Sequence, residues 1–242
     1  MSTFTNEEIK EKSYFSNRNV MEEAYSSYRL PKYLLPYFQD KDKSLNVLDI
    51  GCGLGQMLLV LKNRGFNNLY GIDINDESVS VCRSKGLDVE KIEDIRDYAK
   101  KSNLKFDRVI MSHVLEHLDK DSIIETLAYI KKFLLSKNGL FFLMVPNAQS
   151  PTGVYWRYED FTHTILFTAG SCHYVLHAAG FSNITFLDPD GTKHMKPIKK
   201  IIIKSLISLY KLNKKIWQKI LQTSYHKPSP NIYTFDIKVL AM

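Results

Sequence analysis

Nothing in these 242 residues approaches the roughly 20 consecutive apolar residues that a membrane-crossing helix requires, so no transmembrane span is expected. Cysteine is scarce. Cys52, Cys82 and Cys172 are odd in number and far apart, which excludes a disulfide framework and implies a reducing compartment. Residues 3–17 are polar and charged rather than apolar, so no signal peptide is read there and a cytoplasmic location is expected. Internal repeats and low-complexity tracts are absent. Acid is missing from one place above all: residues 193–227 carry ten lysines and no Asp or Glu, so the rest of the chain is net negative although the whole is +7. What is present is a hydrophobic content of 44%, enough at this length for one α/β domain with a core and an addition.

The most informative run is NVLDIGCGLGQM at 46–57. Val47, Leu48 and Ile50 are the apolar and β-branched residues of a buried strand, interrupted by Asp49 just before the strand ends. Gly51, Gly53 and Gly55 then make a turn without side chains, and 56–64 reads as a helix. Such a turn lets backbone approach a nucleotide-like ligand at the positive end of a helix dipole. A second strand at 69–72 ends in Asp73, about 20 residues past the glycines, where an acid can accept hydrogen bonds from ribose hydroxyls. That spacing fits a nicotinamide dinucleotide as well, but the third glycine of G-x-G-x-x-G falls on Gln56.

Strand and helix patterns alternate beyond this point. Strands are predicted at 47–50, 69–72, 87–91, 108–111 and 140–145, with a closing pair at 183–187 and 232–241. The clearest helix runs over 121–135, with Ile123, Ile124, Leu127, Ile130 and Leu134 on one face, and another over 167–179. Alternation of this kind makes an α/β doubly wound, mostly parallel sheet with helices on both faces and an antiparallel last strand, binding its ligand beyond the carboxyl ends of the strands. Residues 6–38 read as two helices, the second broken by Pro31. The division expected is an N-terminal helical lid at 1–44, with Tyr25, Tyr28 and Arg29 over the ligand, and one domain at 45–242 carrying a basic helical insertion at 188–230 before its last strand.

D-x-G-C-G-x-G followed by an acid-ended second strand resembles the class I S-adenosylmethionine-dependent methyltransferases, whose fold is Rossmann-like. The resemblance covers roughly 47–186 and implies S-adenosylmethionine as cofactor and S-adenosylhomocysteine as product. It implies that Asp49 and the backbone from Gly51 through Cys52, Gly53 and Gly55 to Gln56 hold the methionine end, that Asp73 holds the ribose and that Ile74 packs on the adenine. Glu93 and Asp94, after the third strand, are candidates for the adenine amine, with a solvated loop as the other reading. Ser112 and His113, at the end of the fourth strand, line the same pocket, His113 through its backbone.

The fourth strand leads into SHVLEHL, which puts His113, Glu116 and His117 at the ligand edge of the sheet. A later run, RYEDFTHTILFT, carries Asp160 and His163, and folding back over that edge would bring His163 to His113 and His117. A neutral imidazole there can act as general base for an attacking hydroxyl; His163 is the preferred base, with His117 beside it. Imidazoles plus a carboxylate can instead hold a divalent metal. The ubiquinone-pathway and small-RNA 2′-O-methyltransferases carry Glu-x-x-Glu-His with a later His, and His113 replaces the first Glu here, so a metal is not favoured. Glu116 and His117 also fit a plain role as helix-start residues fixing a loop.

Residues 146–181 look like the methyltransferases of bacterial surface-polysaccharide (O-antigen and capsule) biosynthesis, through R-Y-x-D-x-T-H, then F-T, then A-G-F. That resemblance implies an O-methyltransferase acting on a sugar hydroxyl of a cell-surface glycan or its activated or lipid-linked precursor. Tyr155, Trp156 and Tyr158 offer flat faces for sugar rings, Arg157 a partner for phosphate or carboxylate, and Glu159 and Asp160 acceptors for hydroxyls; core packing is the other reading of the aromatics. A quinone or other lipid hydroxyl is the alternative acceptor. A nicotinamide dehydrogenase or a non-catalytic cofactor-binding subunit are further alternatives. The lysine segment carries Ile198, Ile202, Leu206, Leu209, Ile216 and Ile220 at helical spacing beside Trp217. It suits an anionic membrane surface at the inner face of the membrane, or packing on the core or on a second copy in a homodimer. Nucleic acid is not expected as a partner, because no reading motif accompanies the charge.

Overall fold

The computed structural model describes residues 27–224 and 230–242. Seven strands form one sheet in the order β3-β2-β1-β4-β5-β7-β6. They are β1 (Val47–Ile50), β2 (Leu69–Asp73), β3 (Asp88–Lys91), β4 (Phe106–Ser112), β5 (Leu135–Pro146), β6 (Ile184–Phe186) and β7 (Asp236–Ala241). The first five pair parallel, with β1 in register with β2 (Ile50 opposite Ile72) and with β4 (Ile50 opposite Met111). β7 runs antiparallel to both β5 and β6, as expected of a last strand. All four residues of β1 are buried, the continuous apolar signature of a central parallel strand, and the one polar member, Asp49, stands near its carboxyl end.

Among the described residues seven α-helices accompany the strands: α1 (Gln56–Asn63), α2 (Asp76–Ser84), α3 (Ile95–Lys101), α4 (Ile123–Tyr129), α5 (Gly153–Glu159), α6 (Ala169–Ala178) and α7 (Pro197–Ile220). Local chemistry sets where several of them start. Asn75 caps α2 by accepting from the Ser78 N–H, with Asp76 and Glu77 in the positive first turn. Asp94 caps α3 through the Arg96 N–H, and Thr168 and Ser171 form a reciprocal box at α6.

Alternate strand residues feed two cores. Leu48, Ile50, Val109, Met111 and Phe141 pack with Ile95, Leu127 and Leu176 of α3, α4 and α6 on one face. Val47, Ile110, Phe142 and Met144 pack with Met57 and Leu61 of α1 on the other, continued by Val79 and Cys82 of α2 against Leu58. Helices therefore cover both faces.

The structure departs from expectation in four places. Residues 6–26 of the expected lid helices lie outside the described residues. From 27 onward the chain makes only short 3-10 turns, Leu35–Tyr37 and Asp40–Asp42. Pro31 and Pro36 lack the N–H groups a helix needs, and Leu30, Leu34 and Phe38 are tucked into the core beneath Phe142 instead. The helix expected over 121–135 is shorter: α4 is followed by a π turn at Ile130–Leu134, and Leu135 already belongs to β5. Residues 232–235 precede β7 as a separate segment that reaches the ligand edge. A helix, α5, stands where a loop was expected.

Phe142 is fully buried, with its ring 5.2 Å from that of Tyr37 and 5.7 Å from that of Phe38. Phe142→Ala should lower stability by about 3–5 kcal/mol, read as a drop in the denaturant midpoint; a loss under ~1 kcal/mol would mean that residues 33–38 do not pack there.

Candidate active site

β1 and β4 are neighbours although the chain leaves β1 for β2 on the other side, so a crevice opens where their carboxyl ends diverge. The turn after β1 sits in that crevice. Gly51 has φ +67° and Gly55 φ +78°, and a Cβ at Gly51 would stand 2.3 Å from Val114 Cγ2. Its amides serve the protein itself: the N–H groups of Gly51 and Cys52 donate to Ile72 O, that of Gly55 to Cys52 O and that of Gly53 to Asp73 Oδ2 at 2.8 Å. The turn therefore offers a ligand an open, side-chain-free surface rather than these four donors. Cys52 contributes backbone only, since its thiol is buried with Leu58 and Val79.

Two carboxylates converge beneath this turn. Asp73 is buried and accepts from the Gly53 and Asn75 N–H groups, which leaves lone pairs on both oxygens for ribose hydroxyls. Burial raises its pKa, opposed by the amides that hold it. Asp49 is buried as well; desolvation, and then the charge of Asp73, push its pKa up to about 8. Gln56 Oε1 is buried with no hydrogen-bond partner, an acceptor awaiting a donor at the head of α1. Ile74 is 48% exposed just past Asp73, an apolar face open for a flat ring. Glu93 and Asp94 are otherwise engaged: Glu93 is a solvent-exposed partner of Lys91, and Asp94 caps α3 and pairs with the Arg96 guanidinium, which holds its carboxyl below the usual range. The solvated-loop reading fits Glu93, and Asp94 is built into the fold.

The imidazoles meet as expected. The His117 and His163 rings meet at a tilt of 58° with centroids 4.8 Å apart, and His113 Nδ1 lies 3.3 Å from Glu116 Oε1. Glu116 is the residue whose importance the motif alone understated. It is wholly buried, and neither carboxylate oxygen has a hydrogen-bond partner. Its backbone carbonyl accepts from the Thr164 N–H and hydroxyl, which clamps the later loop onto the turn after β4. His163 Nδ1 lies 2.8 Å from the Trp156 carbonyl, which can only accept, so Nε2 is left as the basic nitrogen, 3.9 Å from Glu116 Oε1 and 3.8 Å from Asp160 Oδ2. Burial lowers the His117 pKa against the pull of Glu116 and Asp160. Desolvation by the groups around it pulls the His113 pKa down although 41% of its side chain is open to solvent, and the Glu116 carboxylate 3.3 Å away outweighs that and raises it. His113 itself sits at φ +56°, and its amide donates to Met144 O. Among the described residues, Glu116, His117 and His163 offer ligand atoms all within 4.8 Å of one another, the group best placed to take a divalent ion.

Two substrate assignments change. Arg157 donates to the carbonyls of His163 and Thr164, so it pins the loop rather than standing free for a phosphate. Asp160 is buried, accepts from the Thr162 N–H and hydroxyl, and faces His163, so it positions the imidazole rather than a substrate hydroxyl. Tyr155 and Tyr158 are exposed, which removes the core-packing reading for both, and Phe161 beside them is 93% exposed. Trp156 packs edge-on against Phe235 (4.7 Å), which in turn stacks on His113 (5.9 Å). Phe235 was missed because no local pattern links a residue before the last strand to the turn after the fourth.

Residues 21–185 match the family described as "Methyltransferase domain". The chain belongs to this methyltransferase family. A curated relative, the ribosomal protein L11 methyltransferase of Aquifex aeolicus (strain VF5), is 34% identical over 83 residues, 33% of this chain and 34% of that protein, so the match spans about a third of each. Among solved structures, this methyltransferase resembles a SAM-dependent methyltransferase from Archaeoglobus fulgidus (TM-score 0.66, 23% identity, 94% of this chain and 97% of that one). It also resembles the plantazolicin methyltransferase BpumL in complex with SAH (TM-score 0.57, 18% identity, 98% and 90%).

In Glu116→Gln the charge that lifts His113 is gone while the desolvation by its neighbours stays. The His113 imidazole should then titrate at lower pH than in the wild type, read by NMR of the ring protons. An unchanged or higher titration would show that Glu116 is not the controlling group.

Proposed function

We propose that this methyltransferase transfers the methyl group of S-adenosylmethionine to a sugar hydroxyl. The cofactor reading rests on charge. Two buried carboxyl groups, Asp49 and Asp73, both held above the usual carboxylate range, suit a ligand whose sulfonium and ammonium favour their ionised forms, which the pyrophosphate of a dinucleotide would not. The side-chain-free surface of the glycine turn, the open Ile74 face and the unpartnered Gln56 Oε1 fit the same ligand.

The observation that carries the acceptor chemistry is the fully buried Glu116 carboxylate faced by three imidazoles. Bound S-adenosylmethionine supplies an already activated methyl group, so the protein's tasks are to align an oxygen and to take its proton. His163 Nε2 takes that proton. Trp156 O holds the ring by its other nitrogen, and the carboxylates of Glu116 and Asp160, each under 4 Å away, stabilise the imidazolium that forms. Proton removal would be superfluous for a carboxylate or phosphate acceptor, which favours an alcohol. Tyr155, Tyr158 and Phe161 present exposed rings on and beside α5, the open platform that a sugar stacks on.

Two outcomes follow. Asp49, largely protonated at neutral pH in the free protein, is driven to its carboxylate form by the cofactor's ammonium, so binding releases a proton. Affinity for S-adenosylmethionine should therefore rise with pH, by at most about tenfold per unit, and level off above about 8; Asp49→Asn should flatten that dependence in calorimetric titrations. His163→Ala should bind the cofactor as the wild type does while losing about 10²–10⁴ in turnover with glycan or nucleotide-sugar acceptors. Turnover that survives exhaustive chelation supports the imidazole base. Loss on chelation, restored by a divalent ion, would transfer proton removal to a cation held at Glu116, His117 and His163.

A further inference from the structure

Helix α7 is 24 residues long, and none of its residues is buried. Its orientation is the reverse of what an amphipathic helix on a globular protein shows. The half-buried positions, Lys200, Ile203, Ile207, Tyr210, Lys211, Lys214 and Gln218, recur mostly at three and four residues and mark the side turned to the protein. Lys204 meets Asp190 at 3.3 Å, and Tyr210 packs edge-on against Tyr233 at 5.1 Å, which fixes the helix to the domain. Ile198, Ile202, Leu206, Leu209, Ile216 and Ile220 fall on the opposite side and are each at least 50% exposed, with Trp217 at their margin. Lys200, Lys211 and Lys214 lie on the protein-facing half, and Lys199, Lys204, Lys215 and Lys219 are exposed along its flanks. A helix of this length carries the apolar stripe for about 36 Å, far longer than scattered surface leucines produce.

We propose that this stripe lies in the plane of an anionic lipid bilayer, with its apolar side chains below the headgroups and its lysines among the lipid phosphates. Charge selects this occupant. Lys199, Lys204, Lys215 and Lys219 flank the stripe and the segment at 193–227 holds no acid, so a second copy laid against the stripe would bring these flanking charges toward their counterparts with nothing on either helix to neutralise them. An anionic surface supplies the missing counter-charge. No helix among the described residues is long and apolar enough to cross a membrane, which agrees with in-plane seating. The position matters for the active site: Tyr233, which packs on α7, is two residues from Phe235, which stacks on His113. Docking therefore holds the imidazole cluster close to the lipid surface.

The test is sedimentation of the full chain with vesicles of phosphatidylcholine containing 30% phosphatidylglycerol, against phosphatidylcholine alone. The protein should pellet at least tenfold more with the anionic vesicles, show a blue shift of emission that Trp217→Phe abolishes, and be released by high salt. Leu206→Glu/Leu209→Glu should remove pelleting while leaving S-adenosylhomocysteine binding unchanged, which certifies the fold without relying on turnover. Equal partition to both vesicle types, or no pelleting, overturns the proposal. So does a micromolar dimer in sedimentation equilibrium that the same double variant dissolves, since a second copy would then be the occupant. None of these readouts depends on the acceptor, so failure here is distinct from failure of the sugar assignment.

Discussion

Asp73 accepts from the Gly53 N–H at 2.8 Å and from the Asn75 N–H at 2.9 Å, so one buried carboxylate fastens the turn after β1 to the turn after β2. Much of the ligand edge depends on that fastening. It holds the glycine turn open and seats Asn75 where its side chain caps α2. It also keeps Asp73 close enough to Asp49 that, after burial, its charge helps raise the Asp49 pKa. The desolvation cost of two acids below a glycine turn is substantial, and the backbone donors that surround Asp73 offset part of it.

The second half of the site is held by a different device. Glu116 uses its backbone carbonyl to clamp Thr164 and its side chain to organise three imidazoles, so a single residue positions the loop and sets the charge around it. Arg157 and Asp160 brace the same loop from within. Two residues with the right chemistry for substrate are thus turned inward, where they stiffen the loop that carries His163.

What was legible in the sequence followed the range of the interactions. The strand–glycine–helix run, the acid at the end of β2 and the reversed last strand are local patterns, and they translated directly into structure. The meeting of His163 with His117 was also readable, because both sit beside recognisable strand or helix ends. The roles of Arg157 and Asp160 were not, since exposure and inward orientation depend on where a loop lands. Phe235 lies more than a hundred residues from His113, and no periodicity connects them. The orientation of α7 escaped for a similar reason: a 3.6-residue period shows that a helix has an apolar face but not which way that face looks.

The contact of Trp156 with Phe235 over His113 has a consequence for assembly. The glycine turn and the two acids beneath it come from residues 47–75, early in the chain. The contact over His113 needs α5 and the segment before β7, and β7 must slot between β5 and β6 against the direction of its neighbour β5. A growing chain thus emits the glycine turn and its acids long before the residues that close over His113.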